Sequence, residues 1–366
     1  MSIFGVKFLL LLVFASTVLN FTASAQPVVK IGMSTALSGP AKEIGQQLKA
    51  GAELHFNFYN QHKADDAATI ELQVLDDSYE PHKTVTNARK LVYENKVDAL
   101  FGVMGTPTSY AIKPILEHSK VPFLMPYTGA EFLQEPHTFN VFNLRTSYNK
   151  EAQDIVRYFV DEQKLKRVAL LIQADEFGLT VEKSLTNALA ERGFKPVVIT
   201  RFRRNTDDIE RALEQAQRYK IEGLAMVGTY TPLSKFINRA MEVGLETQYA
   251  TVSFASSNEL FARLKGKPKV LVTEVVPDPV ICKGKLCDTF REAVRNSTLS
   301  HNEQVFEGYL NAYLLTTAIQ QCELPIDSDC LLNALQQELE HNTVIREVFM
   351  LQPAQKKLPV YRSFFQ

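Results

Sequence analysis

The sequence predicts an α/β protein of two doubly wound lobes, each with a parallel sheet covered by helices. Short β-branched runs alternate with amphipathic helical patterns, and this alternation is typical of parallel sheets. The pattern restarts near residue 167, after one complete unit. The chain has 366 residues, which is more than a single hydrophobic core usually holds. Two lobes are therefore expected.

The first unit contains four predicted strands, at residues 28–33, 70–75, 99–103 and 122–125. Apolar residues at helical spacing follow the first two strands, and a helix from about Ser109 follows the third. The second unit repeats this order, with predicted strands at 167–172, 197–200, 224–227 and 248–252. Residues 143–149 are the expected first crossing between the lobes.

The last third of the chain follows a different pattern. A strand over 270–275 leads into Pro277-Asp278-Pro279, which interrupts regular structure. Three helices are predicted at 288–295, 304–321 and 331–340, and we expect them to return to the first lobe. Two short strands, 344–351 and 358–364, are predicted to end the chain. The expected division is a signal peptide (1–25), an N-terminal lobe (26–145 and 277–343), a C-terminal lobe (146–276) and C-terminal strands returning across the hinge (344–366).

The N-terminus carries an export signal. Lys7 precedes a short apolar run over residues 8–15, and Ala23-Ser24-Ala25 is a small-residue cleavage site. The run is shorter than the ~20 residues that span a bilayer, so a retained helix is the less favoured alternative. The first cysteine of the chain is Cys282, which excludes lipid attachment at a processed N-terminal cysteine. We expect a periplasmic protein whose mature chain starts at Gln26.

Charge and motifs exclude several classes of function. Removing Lys7 from the 40 basic residues leaves 39 against 41 acidic ones, so no electrostatic footprint for nucleic acid or an anionic membrane is present. No nucleophile elbow, P-loop, dinucleotide motif or zinc-protease motif occurs, and the seven histidines are scattered. We therefore expect no enzyme, no cofactor and no metal. Asp76-Asp77 is either an acid–base pair or, as we favour, a cap at a strand end.

The four cysteines, Cys282, Cys287, Cys322 and Cys330, suggest disulfides in an exported chain. Three connectivities are possible. Local pairing, 282 with 287 and 322 with 330, is preferred because each pair brackets a loop-like stretch. A zinc site is the alternative, but neither spacing is the two-residue knuckle and no histidine is interleaved.

Ligands of open α/β sheets lie beyond the carboxyl ends of the strands. In the first unit these positions are loops rich in hydroxyls, glycine and proline, at 34–40, 104–109 and 126–130. Thr106 and Thr108 either cap the following helix or help to receive an anion such as a carboxylate. The facing loops of the second unit carry residues 145–148, 175–178, Tyr230 and Ser253-Phe254.

These loops resemble periplasmic solute-binding proteins of type I fold, and more narrowly the leucine/isoleucine/valine-binding family of ABC uptake systems. The resemblance runs from about Val28 to Val276 and more weakly through residues 305–309. Six motifs together carry it: ALSGPAKEIGQQLKAGAEL (36–54), LDDSYEPHKTVTNARKLV (75–92), FGVMGTPTSYAIKPIL (101–116), PYTGAEFL (126–133), FNLRTSYNKE (142–151) and MVGTYTP (226–232).

The resemblance implies two lobes joined by three crossings that close on a small-molecule ligand, and a loaded protein that docks on an inner-membrane ABC permease. By matching motif, Thr106 would hold a ligand carboxylate, and Tyr127 and Gly129 would supply further carboxylate and ammonium contacts. Ile44 stands where the family often has an aromatic wall. The residues expected at the ligand are Ile44, Thr106, Tyr127, Thr128, Gly129, Tyr148, Phe177, Tyr230 and Phe254.

One departure from the family concerns the ligand's ammonium group. Amino-acid binders of this family usually place an acidic residue after the strand that ends near Val252, but here the stretch is Ser253-Phe254-Ala255-Ser256-Ser257. Burying an unpaired ammonium is costly, so a carboxylate without one, for example an aromatic acid, fits Phe254 better. Glu259 would substitute only if its loop bends back. The leading hypothesis is a monomeric transport-binding protein for a small carboxylate-bearing solute, either an amino acid or a related organic or aromatic acid. A ligand sensor or envelope interaction protein with a signalling partner is the alternative.

Overall fold

The structure is a computed structural model that describes residues 26–134, 140–352, 355 and 357–365. The predicted signal peptide lies outside these residues. Two sheets of mainly parallel strands, each flanked by helices, form two lobes, so the predicted fold class is confirmed. None of the helices in these ranges combines the length and the apolar character needed to cross a bilayer.

The first sheet has five parallel strands in the order β2-β1-β3-β4-β5. These strands are β1 (Val28–Thr35), β2 (Thr69–Asp76), β3 (Ala99–Phe101), β4 (Phe123–Leu124) and β5 (Val141–Phe142). Its helices are α1 (Lys42–His62), α2 (Pro81–Arg89), α3 (Thr106–Ala111) and α4 (Lys113–Ser119). All of its strands except the two-residue β5 were predicted, and α3 begins three residues earlier than expected.

The second sheet has six strands in the order β11-β10-β9-β8-β6-β7. Its strands are β6 (Val168–Gln173), β7 (Ile199–Phe202), β8 (Gly223–Val227), β9 (Gln248–Thr251), β10 (Lys269–Glu274) and the antiparallel β11 (Tyr361–Phe365). Its helices are α5 (Tyr148–Val156), α6 (Glu176–Ala190), α7 (Glu210–Arg218), α8 (Tyr230–Glu242) and α9 (Ser257–Phe261). Helix α5 was not predicted, because the sequence around it was interpreted as a crossing.

The four remaining helices are α10 (Lys285–Arg295), α11 (Glu303–Ile319), α12 (Ser328–His341) and α13 (Thr343–Val348). The almost wholly buried α11 packs along α1 of the first lobe. Glycine permits this close approach: a Cβ on Gly51 would lie 1.9 Å from the carbonyl oxygen of Val305, and one on Gly308 would lie 2.2 Å from that of Leu48. The carboxyl-terminal third is thereby tied to the first lobe.

The predicted strand over residues 344–351 is wrong, because most of this segment forms α13. The Asn342 side chain accepts hydrogen bonds from the backbone N–H groups of Val344 (2.9 Å) and Ile345 (3.2 Å), which begins the helix. Ile345, Val348 and Phe349 are buried at helical spacing. Local capping and burial outweigh the strand preference of the β-branched residues. The final strand is confirmed as β11.

Both disulfides pair locally, Cys282 with Cys287 and Cys322 with Cys330, with Cα separations of 5.9 and 6.0 Å. The preferred connectivity is confirmed, and the other two connectivities and the zinc alternative are excluded. Within the ranges that the structure describes, no group of three or more His, Cys, Asp or Glu side chains is arranged to hold a metal ion.

Asp76 and Asp77 organise the turn after β2, which confirms the capping interpretation. Asp76 accepts hydrogen bonds from the backbone N–H groups of Leu37 (2.8 Å) and Ser78 (2.8 Å). Asp77 is buried and accepts from the Ser34 hydroxyl at 2.7 Å. Burial raises the pKa of Asp77 to about 6, against the opposing effect of its hydrogen bonds. The pair fixes the loop that carries Tyr79.

Candidate functional site

Three hydroxyl groups converge where the loops of β3 and β4 meet the first crossing. The Thr106 and Thr128 Oγ1 atoms are 2.7 Å apart, and Thr128 donates to the Tyr148 hydroxyl at 3.3 Å. All three residues are fully buried. Burial raises the pKa of Tyr148 to about 12, although nearby Arg145 opposes the rise. The three groups are therefore neutral donors at neutral pH, suited to an acidic ligand group.

Neither threonine of the 106–108 loop is the helix cap. The N-cap of α3 is Gly105, at φ 102°, and no side chain caps this helix. The Thr108 hydroxyl instead bonds the backbone, at 2.8 Å from the Gly105 carbonyl oxygen. The Thr106 hydroxyl points to Thr128. Of the two interpretations left open by the sequence, capping is thus excluded for both residues.

Gly129 lies against the first crossing with no room for a side chain. A Cβ at Gly129 would lie 2.6 Å from the carbonyl oxygen of Thr146. The Tyr148 backbone N–H donates to the Gly129 carbonyl oxygen at 2.7 Å. The Thr146 hydroxyl donates to the carbonyl oxygens of Leu358 (3.3 Å) and Pro359 (3.2 Å). The loop that carries Thr128 is therefore held directly against two of the chain segments that cross between the lobes.

Phe254 is the centre of an aromatic cluster that joins the two lobes. A 3-10 turn, Ser253–Ala255, places it directly after β9. Its ring centroid lies 4.7 Å from that of Phe177, 5.4 Å from Tyr127 and 5.6 Å from Tyr79. Tyr148 contacts Phe177 at 5.3 Å. Each of these five side chains is at most 1% exposed, so the facing surfaces of the lobes are in direct contact at this cluster.

Arg145 organises a buried ionic network next to the aromatic cluster. The sequence placed Arg145 in a facing loop but not among the residues expected at the ligand. One guanidinium nitrogen of Arg145 donates to both Glu307 carboxylate oxygens, at 2.9 and 2.8 Å, and another contacts the Ser253 hydroxyl. The guanidinium lies 4.0 Å from the ring centroid of Tyr127. Burial raises the pKa of Glu307, and Arg145 partly opposes that rise. In the sequence, only the motif at residues 145–148 pointed to a role for Arg145.

The Glu151 carboxylate contacts the first residue of the stretch in which the family's acidic residue is missing. It accepts from the Ser253 backbone N–H at 2.8 Å, from the Ser253 hydroxyl at 3.1 Å and from the Thr273 hydroxyl at 2.6 Å. Both of its oxygens are used and the residue is fully buried. Glu259 is paired with Arg263 at 2.5 Å and accepts from Gln47 at 2.6 Å. These contacts commit both carboxylates to the protein's own donors.

Tyr230 and Ile44 lie at one rim of the interlobe surface. The Tyr230 hydroxyl bonds the Glu43 carboxylate, and the Arg263 guanidinium lies 4.4 Å from the Tyr230 ring centroid. Arg263 also reaches Glu43 at 3.8 Å. Ile44 is fully buried in the hydrophobic cluster that includes Phe177 and Phe254. Tyr230 thus bridges to the other lobe through α1.

A second rim, missed in the sequence, joins the Tyr79 loop to the other lobe. Arg204 contacts Glu80 at 3.0 Å and Asp175 at 3.2 Å. Asn205 donates to the other Glu80 oxygen at 2.7 Å. Gln173, at the end of β6, donates to the Tyr79 hydroxyl at 3.3 Å. Polar contacts therefore close both rims around the aromatic cluster.

The protein has two facing lobes, loops at the strand ends and three crossings between the lobes. These features define a class of hinged proteins that enclose a molecule between their lobes. The periplasmic binding protein family model matches residues 28–360. The chain belongs to that family.

Individual relatives are more distant. The chain is 24% identical over 193 residues to Leu/Ile/Val-binding protein homolog 3 of Brucella melitensis, covering 53% of this chain and 52% of that protein. It is 18% identical over 238 residues to the leucine-, isoleucine-, valine-, threonine-, and alanine-binding protein of Pseudomonas aeruginosa, covering 65% and 64%. The matches thus span about half to two thirds of these curated relatives.

Solved structures match over more of the chain. A possible leucine/isoleucine/valine-binding protein from Rhodopirellula baltica has a TM-score of 0.82 and 29% identity, covering 92% of this chain and 93% of that one. The LivJ substrate-binding protein of Streptococcus pneumoniae in complex with isoleucine has a TM-score of 0.73 and 18% identity, covering 85% and 88%. The second similarity is one of fold alone.

Proposed function

We propose that this chain is an exported solute-binding protein that captures a small carboxylate-bearing solute between its lobes and delivers it to an inner-membrane ABC permease. The observation that carries the proposal is the convergence of the Thr106 and Thr128 hydroxyls of the first lobe with the Tyr148 hydroxyl at the start of α5. Membership of the periplasmic binding protein family supports it. Two solved structures of similar fold are described as substrate-binding proteins of transporters.

A carboxylate suits this cluster because it only accepts hydrogen bonds, whereas hydroxyls and first-turn helix amides donate them. A hydrogen bond to a charged group contributes about 1.5–3 kcal/mol. The solute would reach the hydroxyls in the open form, contact Phe177 or Phe254 from the other lobe on closing, and so favour closure by its differential affinity. The bound form differs from this structure at least in the packing around Phe254, because the cluster is solvent-free here.

The solute is proposed to lack an α-ammonium group. Phe254 occupies the region after β9, and Glu151 and Glu259 already hold donors of their own. An ammonium buried there would lose its hydration, and the Glu151 and Glu259 carboxylates could pair with it only by giving up donors that they already hold. Among the acids related to amino acids, those that lack the α-amino group are therefore favoured as the solute.

Isothermal titration tests this with two matched pairs, 3-phenylpropanoate against phenylalanine and 4-methylpentanoate against leucine. Within each pair the acid without the ammonium should bind at least tenfold more tightly. Thr106→Val should raise the Kd of the bound acid about tenfold or more. Thr289→Val is the control, because that hydroxyl bonds backbone carbonyls of α10 and the Tyr309 side chain rather than the hydroxyl cluster. Absence of binding by all four compounds, or equal effects of the two threonine changes, would refute carboxylate capture by this cluster.

The proposed location and lobe limits have direct tests. Residues 1–25 would be removed, so protein from a periplasmic extract should begin at Gln26 on N-terminal sequencing. The lobes would comprise 26–145 with 277–343, and 146–276. Limited proteolysis that cuts first within residues 146–276 rather than at the crossings would contradict those limits.

The alternative role, a ligand sensor or envelope interaction protein with a signalling partner, is favoured by one feature. The lobes already contact each other through five aromatic rings and the Arg204–Glu80 pair. Contacts of this kind favour closure without help from a solute. Permease and ATPase genes beside this gene, together with loss of uptake of the bound acid on its deletion, support transport; a neighbouring sensor-kinase gene and unchanged uptake support sensing.

A further inference from the structure

A groove runs along α6 at the edge of the interlobe surface. Its volume is about 570 Å³, within the range of small-molecule sites. Thr106, Tyr110 and Phe132 of the first lobe line one side, and Glu176, Leu179 and Lys183 of α6 line the other. We name it the α6 groove. Both lobes contribute walls, so a molecule held there would contact both at once.

The α6 groove has an apolar part formed by Tyr110, Phe132 and Leu179, and its other lining residues, which include Glu131, Glu176 and Lys183, are polar or charged. Tyr110 is 48% exposed and Leu179 is 59% exposed. Tyr110 and Phe132 pack edge to face with ring centroids 5.5 Å apart, and the Lys113 ammonium lies 5.2 Å from the Tyr110 centroid. This contact holds the aromatic wall in place. Large apolar side chains that face each other across a groove offer area to a ligand.

The groove is elongated. Its α6 residues recur every three or four positions, from Glu176 through Leu179 and Lys183 to Asn187, so they share one helix face. The eleven helical steps from residue 176 to residue 187, at 1.5 Å each, give a length of roughly 16 Å. A compact solute would fill only part of that length, whereas an extended chain would follow it.

Thr106 connects the groove to the hydroxyl cluster. It lines the groove, and its hydroxyl is 2.7 Å from that of Thr128. It is fully buried, whereas Tyr110 and Leu179 are exposed, so Thr106 is among the deepest residues of the groove. The side chains on the opposite side of the hydroxyl cluster, Phe177 and Phe254, are packed together. Space next to the cluster therefore lies on the groove side.

We infer that the α6 groove is the subsite for the solute's apolar chain, so that the protein selects carboxylates with an extended alkyl or arylalkyl chain. This inference rests on the proposed function, because Thr106 is taken to hold the carboxylate at the deep end. The chain then lies between Leu179 and the Tyr110–Phe132 pair. Binding joins the two lobes along the groove, in addition to the contacts at the hydroxyl cluster.

Titration of the straight-chain acids butanoate, hexanoate and octanoate tests the subsite. Burial of each added methylene should lower the Kd about fourfold. Leu179→Gln should raise the octanoate Kd by about tenfold, because a polar side chain replaces the apolar wall, and should leave butanoate within twofold. Met241→Gln is the matched control: Met241 is also a partly exposed apolar residue of a second-lobe helix, at 41%, and its change should affect none of the acids.

The outcomes separate the subsite from the proposed function. If the acids bind with a Thr106-dependent Kd that does not change with chain length, or if Leu179→Gln and Met241→Gln behave alike, the α6 groove is not the subsite and carboxylate capture stands. If no acid binds, or if Thr106→Val leaves the Kd of every bound acid unchanged, both proposals fail. Chain-length dependence that Leu179→Gln removes, with Met241→Gln unchanged, supports the subsite.

Discussion

Arg145→Met should destabilise the protein strongly, because it leaves the Glu307 carboxylate buried without its partner. Both side chains are within about 5% of complete burial, and one Arg145 nitrogen donates to both Glu307 oxygens. Breaking a buried ion pair from one side costs about 3–5 kcal/mol, whereas replacing both partners with apolar residues is often close to neutral. The free energy of unfolding from urea denaturation at pH 7 should fall by about 3–5 kcal/mol, and Arg145→Met with Glu307→Leu should recover most of that loss.

A matched control is available on the surface. One Arg201 nitrogen likewise donates to both Glu182 oxygens at 2.7 Å, but the Arg201 side chain is 44% exposed. Arg201→Met should cost at most about 1 kcal/mol, because exposed ion pairs contribute little. Equal losses from Arg145→Met and Arg201→Met, or a double variant no more stable than Arg145→Met, would refute the reasoning that burial of Glu307 sets the cost.

The pH dependence of Arg145→Met has a definite sign. Burial raises the pKa of Glu307 and Arg145 opposes the rise, so removing Arg145 raises the folded-state pKa further. A carboxyl group whose folded pKa exceeds its unfolded value favours the folded state at low pH, and this advantage is lost as the pH rises through the folded pKa. The stability deficit relative to wild type should therefore be smaller at pH 5 than at pH 8. A deficit that grows on acidification would contradict this account.

Three further changes test other parts of the structure. Gly129→Ala should lower the melting temperature measured by circular dichroism. The new Cβ would lie 2.6 Å from the Thr146 carbonyl oxygen, and overpacking costs about 1–3 kcal/mol. An unchanged melting temperature would show that the backbone of the first crossing shifts to accommodate the methyl group. Tyr230→Phe should raise the Kd of the bound acid severalfold with little change in melting temperature, since it removes the Glu43 bond that joins α8 to α1; unchanged affinity would remove this bond from closure. Replacing Cys322 and Cys330 together by serine should cost about 2–3 kcal/mol of unfolding free energy on the chain-entropy model, and equal denaturation curves before and after would argue against it.

The fold was largely predictable because its strands and helices are encoded locally. Buried runs such as β6 and β8, and amphipathic patterns such as α1, have the period of the element they form. The strand that was missed and the strand that was wrongly predicted also have local causes. The two-residue β5 is too short for a period, and in α13 the Asn342 cap outweighs a β-branched sequence.

The site was less predictable because much of it depends on how the lobes meet. Thr106 and Thr128 were found from loops at strand ends, a rule that holds within one lobe, and Tyr148 was found at the expected crossing. Arg145 and Glu307 are 162 residues apart, and Glu80 and Arg204 are 124 residues apart. No spacing rule links such positions. Tyr79 was overlooked for the same reason, since its ring contact with Phe254 exists only between the lobes.

A crystal structure of the protein with a bound carboxylate, such as 3-phenylpropanoate or octanoate, tests the central proposal most directly. We expect a carboxylate oxygen within about 2.5–3.0 Å of the Thr106 or Thr128 hydroxyl. We also expect the solute to contact a residue of the second lobe. A carboxylate bound away from both threonines, or held by one lobe alone, would contradict it.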